Sequence, residues 1–257
     1  LPFYLYLFLF ILMFDIFLAA NYFLQIVDSE RRRSPRFKNI VLFVIICSSV
    51  SIVIAGVVNY NTIRISEFQI EIPRKESRIG HLKIAFVADF HLKEGSNLRF
   101  VKRFVKRIKG INPDIMVFGG DMVEGDKEDE NMIAFEKLFS EIKPKYGVFA
   151  VLGNHEHYAG LDRGSFFNNA GIRVLADTIL TIDSSFYLGG RNDSHFRGRK
   201  PIDAILKPAT QSLPTILIDH RPTELEQVSV TGVDIQLSGH THNGQLFPIN
   251  LITAQIY

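Results

Sequence analysis

A single cysteine, Cys47, in 257 residues excludes a disulfide framework and any cysteine-based zinc module. Nor is there an excess of one charge. The 29 Lys and Arg stand against 27 Asp and Glu, a formal net charge of +2. That speaks against a dedicated nucleic-acid binder, because phosphate backbones are met with a clear basic surplus. With 18 Gly and 10 Pro the chain has too little of either for a collagen-like or Pro/Gly-rich fibre. Its 47% of hydrophobic residues are too many for a disordered one. No internal repeat and no low-complexity tract is visible, and the length is that of one or two domains.

The apolar residues are unevenly spread. Residues 1–27 carry one charge, Asp15, and residues 40–58 carry none. Those 19 uncharged residues make a helix about 28 Å long, close to the hydrocarbon thickness of a bilayer. The first segment is too long and too aromatic for the apolar region of a signal peptide, and no small-residue cleavage site follows it. The expectation is a membrane hairpin over residues 1–60, with helices at about 3–27 and 40–58. A buried soluble hairpin is the competing reading, but the second segment leaves no polar face. Between the helices, the loop 28–39 holds Arg31, Arg32, Arg33, Arg36 and Lys38. The positive-inside tendency makes this loop cytoplasmic and everything after Asn59 extracytoplasmic. The same basic loop also reads as a site for anionic lipid head groups. Asp15 is read as packing or water-facing rather than functional, since no basic partner is visible. Because the chain opens at Leu1 without a methionine, two helices is a minimum.

Residues 61–257 read as one domain. Five Lys/Arg and three Asp/Glu lie before residue 61, leaving 24 of each sign after it, so this part is formally neutral. Period-two alternation over 62–72 predicts an edge strand, and apolar runs predict buried strands at 83–89, 114–121, 146–154, 215–220 and 234–240. Hairpin-like pieces fall between Ile172 and Gly190. Phe100, Val101, Phe104, Val105 and Ile108 share one face of a helix over 98–110, with its Lys and Arg opposite as a solvated surface. A further helix is expected near 132–142, and the acidic run 126–131 reads as a solvated loop or helix start. Alternating strands and helices in this order imply a layered α/β or αββα sandwich.

Five of the predicted strand ends carry polar residues that a core does not need: Asp89-Phe90-His91, Gly119-Gly120-Asp121, Gly153-Asn154-His155-Glu156, His220, and Gly239-His240-Thr241-His242. Open α/β sheets place their sites at such positions. Carboxylate, imidazole and amide oxygen suit borderline or hard divalent cations, and no thiolate is present to favour a structural zinc. Singly these signals are weak, since a lone histidine such as His220 is more often a satisfied polar residue than a ligand. Five units in this order are not readily a chance arrangement. Glu156 and Asp219 are adjacent candidates to orient the histidines. His157 reads equally as site-lining or exposed, Arg191, Asn192, Asp193 and His195 as substrate-contacting or plain loop, and His81 as structural.

The succession DFH, GGD, GNHE, a lone H after a strand, and GHTH resembles the calcineurin-like metallophosphoesterases, in particular a bacterial membrane-anchored branch. The resemblance covers Leu82 to Pro248. It implies a four-layer αββα metallophosphoesterase sandwich, here preceded by two transmembrane helices, and two divalent metal ions (Mn, Fe or Zn). By motif, Asp89, His91, Asp121 and His242 would hold one ion, and Asp121, Asn154, His220 and His240 the other, with Asp121 bridging. His155 matches the family's non-ligand histidine that contacts the phosphoryl group. The implied reaction is hydrolysis of a phosphodiester or phosphomonoester through in-line attack by a metal-bridging hydroxide. The family domain usually continues past GHTH with further strands, so a domain incomplete at its C-terminus is expected here.

The membrane anchor suggests a lipid-linked phosphate ester as substrate and the bilayer as partner, with no nucleic acid. Nucleotide-linked lipid precursors, however, would lie on the cytoplasmic side, against the orientation read from the basic loop. The competing functions are a non-catalytic metal-binding scaffold and a regulatory domain of a membrane protein. Retention of every motif ligand and of His155 weighs against the scaffold.

Overall fold

The structure, a computed structural model, describes residues 2–124, 130–158, 164–242, 247–248 and 251. The acidic run 126–131 and most of the segment after His242 therefore lie largely outside the described residues. The chain divides into two compact units, Leu1–Glu67 and Phe68–Tyr257.

In the first unit, α1 (Pro2–Leu24) and α3 (Pro35–Tyr60) are each long and apolar enough to cross a membrane. Between them, α2 (Ser29–Arg33) replaces the expected loop. The basic stretch is helical because each turn start is capped. Asp28 accepts from the Arg31 amide at 2.7 Å, and Ser34 accepts from Phe37 at 3.2 Å, with Pro35 in the first turn of α3. Helix α3 thus begins before residue 40 and takes in Arg36 and Lys38. Gln25, with φ of 50°, turns the chain out of α1. The buried Asn21 side chain clips that turn, donating to the Val27 carbonyl at 2.9 Å and accepting from its amide at 2.8 Å.

Among the described residues, the second unit has two four-stranded sheets. The first runs β1 (Ile84–Val87), β2 (Ile115–Phe118), β3 (Val148–Ala150) and β4 (Arg173–Val174) in order, all parallel. Between its strands run α4 (Leu98–Ile111), α5 (Glu130–Phe139), α6 (Asn154–Tyr158) and α7 (Gly164–Asn169). The second sheet orders β5 (Thr178–Ile182), β6 (Phe186–Gly190), β7 (Thr215–Ile218) and β8 (Ile235–Leu237). Its first pair is an antiparallel hairpin and the rest is parallel. Asp183 and Ser184, both at positive φ, form the reversing turn, closed by the Ser185 amide on Ile182.

Ile115, Val117, Phe149, Val151 and Leu175 of the first sheet side pack against Phe186, Leu188, Ile216 and Ile218 of the second. Outside the first sheet, α4 buries Val101, Phe104, Val105 and Ile108, as the sequence periodicity predicts. Outside the second, Leu217 packs against Ile202 of α8 (Ile202–Leu206) and Val228 of α9 (Leu225–Ser229). Helices thus cover both outer faces, which gives the expected αββα layering.

The alternating segment 62–72 is not a strand. It is mostly exposed chain with no regular element, and it straddles the boundary between the units. Alternation supplies a strand's two faces but not the neighbour whose backbone must complete the ladder.

Candidate metal centre

The loops after β1, β2, β3, β7 and β8 hold the polar groups, all beyond the carboxyl ends of the strands. The Phe90 ring goes into the aromatic layer with Phe104, Phe118 and Phe139, at centroid distances of 4.8, 6.5 and 5.8 Å. That anchor leaves Asp89 and His91 on the other side. The loops after β1 and β2 stay laced together, with the amides of Asp89, His91 and Leu92 donating to the carbonyls of Gly120, Asp121 and Met122.

Close approach explains two of the glycines. Gly120 has φ of 94°, and a Cβ there would lie 2.6 Å from His220 Nδ1. A Cβ on Gly153 would overlap the Asp121 carboxylate. The backbone at five motif residues is also in the left-handed region: Asp89 (φ 59°), His91 (49°), Asp121 (51°), His240 (71°) and His242 (49°). Such conformations are uncommon outside glycine and concentrate at functional sites, held by the surrounding structure.

Among the described residues, the side chains gather into three clusters, within each of which the ligand-competent atoms lie within 4.8 Å of one another. They are Asp89, His91, Asp121 and His242; Asp121, His220 and His240; and His91, Glu124 and His155. In the first, His91 Nε2 is 3.0 Å from His242 Nε2, and His242 Nε2 is 3.3 Å from Asp89 Oδ1. The second shares Asp121, whose Oδ2 lies 3.1 Å from His220 Nε2. His220 is fully buried, and its Nδ1 donates to the Gly119 carbonyl at 2.8 Å. A carbonyl can only accept, so this bond fixes the tautomer and turns the Nε2 lone pair toward Asp121. Burial disfavours both charges, yet proximity holds the Asp121 carboxyl below its ordinary pKa and the His220 imidazole above its own. His240 is pushed below its usual value by burial and then by the nearby charges of Arg221 and His220.

Two buried acceptors here, Asn154 Oδ1 and His220 Nε2, have no hydrogen-bond partner among the described residues. Buried polar atoms are nearly always satisfied. An amide oxygen and an imidazole lone pair left unmatched beside a carboxylate fit a divalent cation and do not fit an anion.

Glu124 was not singled out in the sequence. Its Oε1 lies 2.5 Å from His91 Nδ1 and 3.0 Å from His155 Nδ1, and Lys93 is 3.4 Å from Oε2. Burial raises its pKa, but His91, His155 and Lys93 together bring it below the usual glutamate value. The only signal available was an acid three residues past Asp121, whose role depends on the β1 and β2 loops lying side by side.

Glu156 and Asp219 do not take the histidine-orienting role suggested by adjacency. Glu156 is buried and accepts four backbone amides: Met122 (2.6 Å) and Val123 (2.9 Å) on Oε1, and Asp121 (2.9 Å) and Gly153 (2.8 Å) on Oε2. Asp219 points away from its neighbour His220 and meets Arg191 at 3.1 Å and Arg199 at 2.7 Å, burial pushing its pKa up despite both. Arg191, 2% exposed, also pairs with Glu224, and Asn192 donates to Asp177. Asp193 joins His195 and Arg221, each within 2.9 Å, which hold it below its ordinary pKa against the effect of burial. The segment 191–199 is therefore an ion-pair framework behind His220. His157 is exposed beside Phe196, and His81 is exposed.

Residues 82–244 match the family model described as calcineurin-like phosphoesterase. The chain is 34% identical over 194 residues to an uncharacterized metallophosphoesterase of Aquifex aeolicus, an alignment covering 72% of each chain. It is 32% identical over 172 residues to phosphodiesterase YaeI of Escherichia coli, covering 64% of this chain and 62% of that one. To a transmembrane protein with metallophosphoesterase domain of Danio rerio it is 26% identical over 240 residues, covering 87% of this chain but only 54% of the relative.

Proposed function

The chain belongs to the calcineurin-like phosphoesterase family, and from that premise we propose that it is a membrane-anchored, two-metal phosphoesterase. Membership itself supports metal-dependent phosphoester hydrolysis. The two-metal reading is carried by Asp121, one carboxylate common to two ligand clusters. In this reading Asp89, His91, Asp121 and His242 hold one divalent ion, and Asp121, Asn154, His220 and His240 the other. When bound, such a pair supplies Lewis-acid activation of water and neutralises charge building on the phosphoryl oxygens.

The protein groups have separable tasks. Asp121 is held in orientation by the His155 amide, which donates to Oδ1 at 2.9 Å and leaves Oδ2 facing His220. Glu124 orients His91 and His155 through their Nδ1 atoms, leaving each Nε2 for other duties. His155 Nε2 then contacts the phosphoryl group and delivers a proton to the leaving oxygen. A relative named as a phosphodiesterase leans the substrate toward diesters. The anchor leans it toward lipid-linked ones.

The test is hydrolysis of a chromogenic phosphodiester by the purified full chain, stripped with chelator and resupplied with Mn. Activity is expected to disappear on stripping and return with metal. Unchanged hydrolysis by protein shown to be metal-free overturns the reading. For orientation, Arg31, Arg32 and Arg33 support a reading in which the segment between α1 and α3 is cytoplasmic and the catalytic unit lies outside the cytoplasm. A reporter that is active only in the cytoplasm, fused after residue 60, is expected to stay silent. A strong signal reverses the assignment.

A further inference from the structure

Unit Leu1–Glu67 contains a cavity of about 430 Å³ that the phosphoesterase reading does not use. Its wall is apolar, formed by Phe14 and Leu18 of α1 and by Phe37, Val41, Leu42 and Ile45 of α3. The Phe14 and Phe37 rings, 6.5 Å apart, form part of that wall. Its mouth is cationic, lined by Arg32, Arg33 and Lys38. On α3, Lys38, Val41, Leu42 and Ile45 follow a helical face, so the groove runs from charge to hydrocarbon over about 10 Å.

Two further observations give the mouth its sign. The Nε of Arg32 is buried and has no hydrogen-bond partner among the described residues. The first turn of α3, with its positive dipole end, opens beside it. An apolar slot under three cations and an unsatisfied guanidinium N–H matches an amphiphile with an anionic head.

We propose that this groove seats one anionic phospholipid of the bilayer, its phosphate at Arg32, Arg33 and Lys38 and one acyl chain along Leu18, Val41 and Ile45. The inference rests on the membrane placement of α1 and α3 proposed above. It differs from a general attraction of basic loops to acidic membranes in that the lipid occupies a defined slot. Nothing in it requires the catalytic unit.

The chain has no tryptophan, so Phe37→Trp places a sole indole, excited selectively over the tyrosines, in the groove wall. The full chain is reconstituted in phosphatidylcholine vesicles containing brominated phosphatidylglycerol or brominated phosphatidylcholine, whose bromines quench a nearby indole. Half-quenching is expected at a mole fraction of phosphatidylglycerol on the order of tenfold lower than of phosphatidylcholine. Adding Arg32→Ala is expected to raise that fraction about fivefold, the effect of one cation near an anionic surface. Val41→Phe, which fills the slot and leaves the charge alone, is expected to raise it too.

Equal quenching by the two lipids overturns the site while leaving the membrane placement intact. A response to Arg32→Ala with none to Val41→Phe reduces it to diffuse attraction, which also overturns it. Quenching by neither lipid removes the membrane placement and the inference together. Hydrolysis of the chromogenic diester, followed in the same samples, reports on the phosphoesterase reading separately.

Discussion

Asp121→Asn is expected to cut phosphodiester hydrolysis by about 1,000-fold or more, in the upper half of the ~10²–10⁴ range that loss of a single proton-transfer group typically costs or above it. The substitution keeps the shape of the side chain and an oxygen for the His155 amide, but it removes charge from both clusters at once. An amide oxygen does not offset two dications, so both affinities fall. Thermal unfolding gives an independent readout. Native protein at Mn concentrations 100 times the Kd gains about 2.7 kcal/mol of stability for each ion bound, and the variant gains almost none. Retention of metal-dependent stabilisation by Asp121→Asn contradicts the shared-ligand arrangement even where activity is lost for another reason.

Glu156→Ala is expected to lower the melting temperature of the metal-free protein by about 10–20 °C. Four buried amides, from Asp121, Met122, Val123 and Gly153, lose their acceptor together. A buried donor left unsatisfied costs roughly 1–3 kcal/mol, and partial relaxation brings the sum to about 5 kcal/mol. At about 2–4 °C per kcal/mol for a unit of this size, that is the stated drop. Glu156→Gln is expected to fall between the two, since its amide oxygen can still accept while its NH2 faces donors. A shift under about 5 °C for the alanine variant means that water reaches these amides and the carboxylate is not their essential acceptor.

The legible part of the centre was the set of groups that strand ends deliver. Asp89, Asp121 and His240 follow apolar runs with glycine or a small residue just before, and a strand end has only one open direction. The orienting groups were illegible for a reason of the same kind. Adjacent residues on an extended chain face opposite sides, so Asp219 beside His220 is for that reason unable to serve it and meets Arg191 and Arg199 instead. Glu156 lies in the first turn of α6 and faces back toward the amides of the preceding loops. Glu124 becomes interpretable only once β1 and β2 are known to be neighbours. In the fold, the helix α4 was readable to within a residue because its apolar face repeats at 3.6. The segment 62–72 was misread because alternation describes a strand's faces and says nothing of its partner.

The left-handed backbone at positions 89, 91, 121, 240 and 242 restricts which sequences this site can explore. Val, Ile and Thr are disfavoured there by the collision of a branched Cβ with its own carbonyl, whatever the chemistry demands, whereas Asn, Asp and Gly are tolerated. Selection for folding alone would therefore return a narrow alphabet at these five positions, and a randomised library depleted of branched residues there reports on torsion angles, not on catalysis. Exchanging Asp for Asn steps within that alphabet and changes only the donor.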